Sequence, residues 1–163
     1  MKRIVCLMLS LCFLLSGCGF FGERIREPVT FYYLCADYQE KLCCVIVPEE
    51  REASGHSGDL SYLLALYQIG PAEETLRSPL PAGTRIRSEI QDNQILLELS
   101  DAAAELSDLE YTLACACLTL TCLDMAQTEA VTVTCGDRSK TMTRSSLTLH
   151  DETDITFPTE DTQ

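Results

Sequence analysis

Ser107-Asp108-Leu109-Glu110 is an S-x-x-E capping box, in which serine and glutamate side chains reciprocally satisfy backbone N–H groups that open a helix. Leu109, Leu113, Ala116, Leu120 and Leu123 follow at steps of three or four. They predict a helix from Ser107 to Leu123 with one apolar stripe that another element must cover. The flanking sequence offers a sheet. Arg85 to Gln91 and Gln94 to Ser100 read as two β runs joined at Asp92-Asn93, and Ala130 to Cys135 reads as another strand after the helix. A helix set between strands in this way makes the chain an α+β protein.

Upstream, Val29 to Cys35 is rich in β-branched and aromatic residues. Leu42 to Val47 is a second apolar run ended by Pro48, and the two can pair as a hairpin. Glu49 to Asp59, with its charges and glycines, reads as a loop. Leu60, Leu63, Leu64 and Tyr67 share a helical face, with Ser57 or Asp59 as N-cap and Gly70-Pro71 as the stop. A proline-rich connection from Ala72 to Thr84 leads into the strand at Arg85, and Ser100 to Leu106 reads as a loose helical turn. Gly136-Asp137 is a turn, after which Thr141 to Arg144 and Leu147 to His150 read as short strands. The order β, α, β, β, α, β, with both helices on one face of a mixed sheet, is the split βαβ arrangement.

The N-terminus carries an export signal. Met1-Lys2-Arg3 is a basic start, and Ile4 to Leu15 is an apolar run too short for a stable membrane span. Leu15-Ser16-Gly17-Cys18 resembles the lipobox of bacterial lipoproteins, in which the cysteine thiol receives the diacylglyceryl group. The expected organisation is a signal peptide over residues 1–17, lipidation at Cys18, a tether over 18–29, the α+β domain over 30–150 and an acidic tail over 151–163. That tail is too polar to bury enough surface to order itself. Loss of Lys2 and Arg3 with the signal leaves ten basic against twenty-five acidic side chains, taking the formal charge from −13 to −15. Such a charge repels phosphate backbones, which argues against nucleic acid as a partner. The expected location is the outer face of the cytoplasmic membrane, held by the N-terminal lipid.

Ten cysteines invite a metal or disulfide reading. Cys6 and Cys12 leave with the signal and Cys18 is acylated, so Cys35, Cys43, Cys44, Cys115, Cys117, Cys122 and Cys135 remain. Cys115 and Cys117 project to nearly opposite sides of a helix, and no C-x2-C or histidine stands at ligand spacing, so core filler is the expected role. Pairing among the seven stays open. The two histidines, His56 in a Gly/Ser loop and His150 at the start of the tail, have no fixed setting for a catalytic base. Glu49, Glu50 and Glu52 read as a solvated charge run rather than a carboxylate pair held across a glycan. No phosphate-binding glycine motif is present. The expectation is therefore no catalytic residue, no metal and no cofactor; the rival reading is an envelope enzyme acting on peptidoglycan.

Pro48-Glu49-Glu50-Arg51, Gly70-Pro71, Leu80-Pro81-Ala82-Gly83-Thr84, Leu97-Glu98-Leu99-Ser100, Thr119-Leu120-Thr121 and Thr134-Cys135-Gly136 occur in this order along the chain. As a collinear set they resemble the GerMN domain of sporulation and spore-germination lipoproteins and related envelope lipoproteins. The resemblance covers roughly Thr30 to His150. It implies a non-catalytic extracytoplasmic module, similar to ring-building domains, whose partners are envelope or sporulation proteins. The chain holds one such module, and its helix carries cysteines where apolar residues are usual.

Overall fold

The structure, a computed structural model, describes residues 28–37, 45–53, 55–126 and 128–147. Cys18, the signal, most of the tether, Cys43, Cys44, His150 and the acidic tail lie outside these residues. Seven strands and two α-helices are described: β1 (Pro28–Cys35), β2 (Ile46–Glu52), α1 (Leu60–Gln68), β3 (Leu76–Arg77), β4 (Ile86–Gln91), β5 (Gln94–Leu99), α2 (Asp108–Met125), β6 (Ala130–Cys135) and β7 (Arg138–Thr143). A 3-10 turn at Asp101–Glu105 precedes α2, and another at Arg144–Ser146 follows β7. None of the described helices is long and apolar enough to cross a membrane.

The α+β class stands, but the strands divide between two sheets where the sequence suggested one. The first has the order β2-β1-β3 and the second β4-β5-β6-β7. In the second sheet β5 and β6 run parallel and the other pairs antiparallel, so this sheet is mixed. A parallel pair needs a long crossover, and the 3-10 turn with α2 provides it.

The place of α2 explains the division. Tyr32 in β1 donates its backbone N–H to Thr121 Oγ1 (3.0 Å). The Tyr67 hydroxyl donates to the Tyr32 carbonyl (3.0 Å). Two helix hydroxyls thus satisfy an edge of β1 that β3 pairs only at Leu34 and Cys35. With those groups turned to the helices, Tyr32 and Pro48 form a non-hydrogen-bonded pair, so the N–H that proline lacks leaves no gap. The second strand therefore runs through Pro48 to Glu52, not ending at Val47, and Glu49–Glu52 is strand instead of loop.

The capping box forms as the sequence requires: Ser107 Oγ accepts the Glu110 N–H, and Glu110 Oε2 accepts the Ser107 N–H (3.0 Å). The expected apolar stripe is covered at Ala116, Leu120 and Leu123 and half-covered at Leu113, but Leu109 is 69% exposed, and burial is not confined to the stripe: Ala114 through Leu123 is buried around the whole circumference. Set against β1 on one side and β6 and β7 on another, the helix has no solvent face over Ala114–Leu123. Cys115, Cys117 and Cys122 are core filler there, as expected, and no disulfide joins the described cysteines.

Arg138 fixes the start of α2 to the second sheet. Its guanidinium lies 4.0 Å above the Tyr111 ring and donates to the carbonyls of Leu106 (2.8 Å) and Ser107 (3.3 Å). Tyr111 in turn donates its hydroxyl to the Val133 carbonyl (3.0 Å). The turn Asp92-Asn93 adopts left-handed φ at both residues, the geometry of a two-residue hairpin. Past the Gly136-Asp137 turn, β7 starts at once at Arg138 and ends at Thr143, earlier than the expected strand from Thr141.

Candidate interaction surface

Along β2 the side chains alternate: Val47, Glu49 and Arg51 turn inward, while Pro48, Glu50 and Glu52 are exposed. Glu49 is only 4% exposed and stands opposite Phe31 in the register. A buried carboxylate needs partners, and Glu49 Oε1 accepts the N–H groups of Ala72 (2.8 Å) and Glu73 (2.9 Å). Glu49 is thus not part of a solvated charge run. Two residues on, Arg51 lies 5.4 Å over the Phe31 ring and donates to the Gly70 carbonyl (3.0 Å). One carboxylate and one guanidinium hold the loop that follows α1.

That loop begins with a helix stop. Asp59 caps α1 by accepting the Tyr62 N–H (3.1 Å), and Gly70 ends it in the left-handed region, φ +96°, donating to the Tyr67 carbonyl (3.0 Å). Beneath the helix, Tyr67 stacks on Tyr33 with ring centroids 4.8 Å apart and packs on Phe31 at 6.0 Å. Burial pushes the Tyr33 hydroxyl up to about 12 against the pull of Arg51, so it stays protonated and donates to the Tyr67 carbonyl (3.3 Å).

The solvent face of α1 is unusual for so acidic a chain. Ser61, Tyr62, Ala65 and Gln68 are exposed, and no charged residue occurs from Leu60 to Gln68. Ile69, directly after the helix, is 78% exposed. Leu80-Pro81-Ala82-Gly83-Thr84 folds back beside this end of the helix, tied by the Thr84 hydroxyl to the Pro81 carbonyl (2.8 Å). Between the two lies a groove of about 260 Å³ with Gln68, Ile69 and Gly70 on one wall. At the opposite end of α1 an open cleft of about 520 Å³ separates Gly58–Ser61 from Ser88 and Ile90 of β4, and Ile90 is 59% exposed.

Of the residues weighed for chemistry, His56 is exposed as expected, its ring stacked on Tyr62 at 4.3 Å on this same surface. Glu50 and Glu52 point outward while Glu49 is spent on backbone amides, so the three are not brought together. Burial pushes the thiols of Cys117 and Cys122 up to about 12 and that of Cys115 up to about 11, away from the thiolate a nucleophile needs. Among the described residues no three His, Cys, Asp or Glu side chains come together as metal ligands. Sequence reasoning missed the roles of Glu49 and Thr121; the alternation Val47, Glu49, Arg51 was the available signal for the first.

No protein-family model matches this sequence, and no curated protein matches it. Among solved structures the chain is similar to the tandem GerMN domains of the sporulation protein GerM from Bacillus subtilis, at 17% identity and a TM-score of 0.49. That likeness covers 69% of this chain and 40% of the tandem protein, so the chain spans less than half of its length. The first GerMN domain of the same protein gives 14% identity and a TM-score of 0.47 over 69% of this chain and 86% of that one. A Clostridium perfringens protein provisionally classed as a lipoprotein gives 17% identity and a TM-score of 0.46 over 72% and 89%. The domain named in the first two is the one that the collinear stretches of the sequence resemble.

Proposed function

We propose that this protein is an exported, lipid-anchored interaction module of the bacterial envelope, linked to sporulation or spore germination, with no catalytic turnover of its own. The carrying observation is the solvent face of α1. In a chain with 23% charged residues this face has none, presents Tyr62 and Ile69, and is flanked by a groove and a cleft. Polar side chains that a hydrolase would use are otherwise engaged: Glu49 holds a loop, and His56 lies exposed against Tyr62. The anchor rests on the Leu15-Ser16-Gly17-Cys18 lipobox, and the sporulation link on the collinear stretches that resemble the GerMN domain. Membrane proteins or sporulation proteins on the outer face of the cytoplasmic membrane are the partners this reading requires.

Two measurements on the full chain test it. Wild type should remain in the membrane fraction after high-salt washing, with lipid on Cys18 by mass spectrometry, and Cys18→Ala should lose both. Purified protein should release no fragments from peptidoglycan. Membrane retention of Cys18→Ala without lipid overturns the anchor, and hydrolysis lost on Glu49→Gln or His56→Ala establishes the enzyme instead.

A further inference from the structure

We propose that the outer edge of β4, with the cleft between it and the N-terminal end of α1, takes up an extended cationic segment of a partner protein as an added strand. The inference rests on the interaction-module reading and names the surface and the chemistry of its partner.

β4 is the terminal strand of the second sheet, paired on one side by β5. The bond from the Ser100 N–H to the Arg85 carbonyl (2.9 Å) marks where β4 and β5 exchange hydrogen bonds. From there the antiparallel alternation turns the main-chain groups of Ile86, Ser88 and Ile90 outward. At Ile86 the helix already stands in for a strand, since the N–H donates to Gln68 Oε1 (3.1 Å). Beyond it the cleft of about 520 Å³ opens between Gly58–Ser61 and the positions Ser88 and Ile90.

Two successive outward positions offer donor, acceptor, donor, acceptor at the repeat of a β-strand. Another extended main chain is the group that answers all four. Along Ile86–Gln91 the edge contains no proline and no lysine and its register runs without a bulge; its charged side chains, Arg87 and Glu89, alternate with Ser88 and Ile90 and so lie on the opposite face of the sheet, where Arg87 pairs with Glu98 (3.5 Å). Ile90 supplies an apolar contact at 59% exposure. Charge selects the sign of the partner. The chain carries a formal −13, Asp59 lines the cleft, Glu89 and Asp92 flank Ile90 in sequence, and the strand's own cation, Arg87, is paired with Glu98 on the opposite face. The segment that fits alternates apolar residues facing Ile90 and Leu60 with lysine or arginine on the other face.

The test uses the full chain in detergent and two fluorescent hexapeptides, Lys-Val-Thr-Val-Lys-Val and its counterpart with glutamate for lysine. Anisotropy should show the lysine peptide binding at least about tenfold tighter than the glutamate one. Hydrogen exchange should slow in the segment containing Ser88 and Ile90 when the lysine peptide is bound. Ser88→Pro removes an outward N–H that the β5 ladder does not use, and should weaken binding about tenfold or more, whereas Ser88→Ala should not. Ile90→Lys, at an exposed position, serves should the proline variant fail to fold; it removes the apolar contact and sets a like charge against the segment, and should weaken binding as well. Absence of binding, equal binding of both peptides, or binding indifferent to these variants overturns the proposal. So does a concentration-dependent dimer abolished by Ser88→Pro, because the edge would then be occupied by a second copy. Crosslinking from Ile69, on the far end of α1, reports on the module itself and is independent of these outcomes.

Discussion

Glu49 concentrates the chemistry of single residues in this fold. Its buried carboxylate accepts the backbone N–H groups of the exposed residues Ala72 and Glu73, so Glu49→Ala removes two hydrogen bonds that hold the loop and should cost about 0.5–1.5 kcal/mol for each. Glu49→Gln keeps a carbonyl acceptor and should cost less; urea unfolding of the two variants side by side gives the comparison. The charged run hid this role from a sequence reading, because glutamate is far more often exposed than buried. What the sequence did contain was the period-two placing of Glu49 between Val47 and Arg51. The buried thiols act at the same scale. Cys115, Cys117 and Cys122 are neutral in the folded chain up to about 11, 12 and 12, against 9.0 without burial. Above 9.0 the unfolded chain loses these protons while the folded chain keeps them. Stability from this source is therefore full below about pH 9 and lost as pH rises through the folded values. Under reducing conditions, urea midpoints should be lower at about pH 10 than at about pH 7. Cys122→Ala should narrow that difference, and an unchanged gap would mean that this thiol is not buried as described.

At the scale of elements, α2 shows how far local signals reach. The capping box was legible because it is a contact between residues three apart, and it formed with both bonds. The stripe marks part of the buried surface but not its extent, because burial of a helix depends on what surrounds it, and here β1, β6 and β7 cover what would be a solvent face in a two-layer protein. Leu118 is fully buried and Leu109 is not. Leu118→Ala should therefore destabilise by ~2–5 kcal/mol, Ser107→Ala by about 0.5–2 kcal/mol, and Leu109→Ala by no more than about 0.5 kcal/mol. Chemical denaturation of the three gives the order, and a large loss for Leu109→Ala would contradict the placement of the helix. The collinear stretches also acquire a physical sense at this scale. Arg51 of the first bonds Gly70 of the second, Thr134 Oγ1 bonds the Leu97 carbonyl (3.2 Å), and Cys135 Sγ lies 3.7 Å from the Ser100 carbonyl. Thr121 bonds Tyr32 of β1. Stretches far apart in sequence are thus joined through hydrogen bonds.

For the whole molecule, the division into two sheets leaves α2 enclosed and α1 at the surface, with its stacked Tyr67 beneath and an uncharged face outward. The sequence could place α1 and its caps, since Asp59 and Gly70-Pro71 are local. It could not show that the loop after α1 is held by β2, or that β4 opens beside the helix, because both depend on long-range pairing. Under the proposed function, this face of α1 meets a protein in the envelope. A photoreactive residue placed at Ile69 or Tyr62 of the full chain in living cells, with Asp137 in the turn between β6 and β7 as the control, tests it most directly. Docking through α1 should give the same discrete protein adduct from Ile69 and Tyr62 and none from Asp137; adducts from Asp137 alone, or equal labelling from all three, would rule it out.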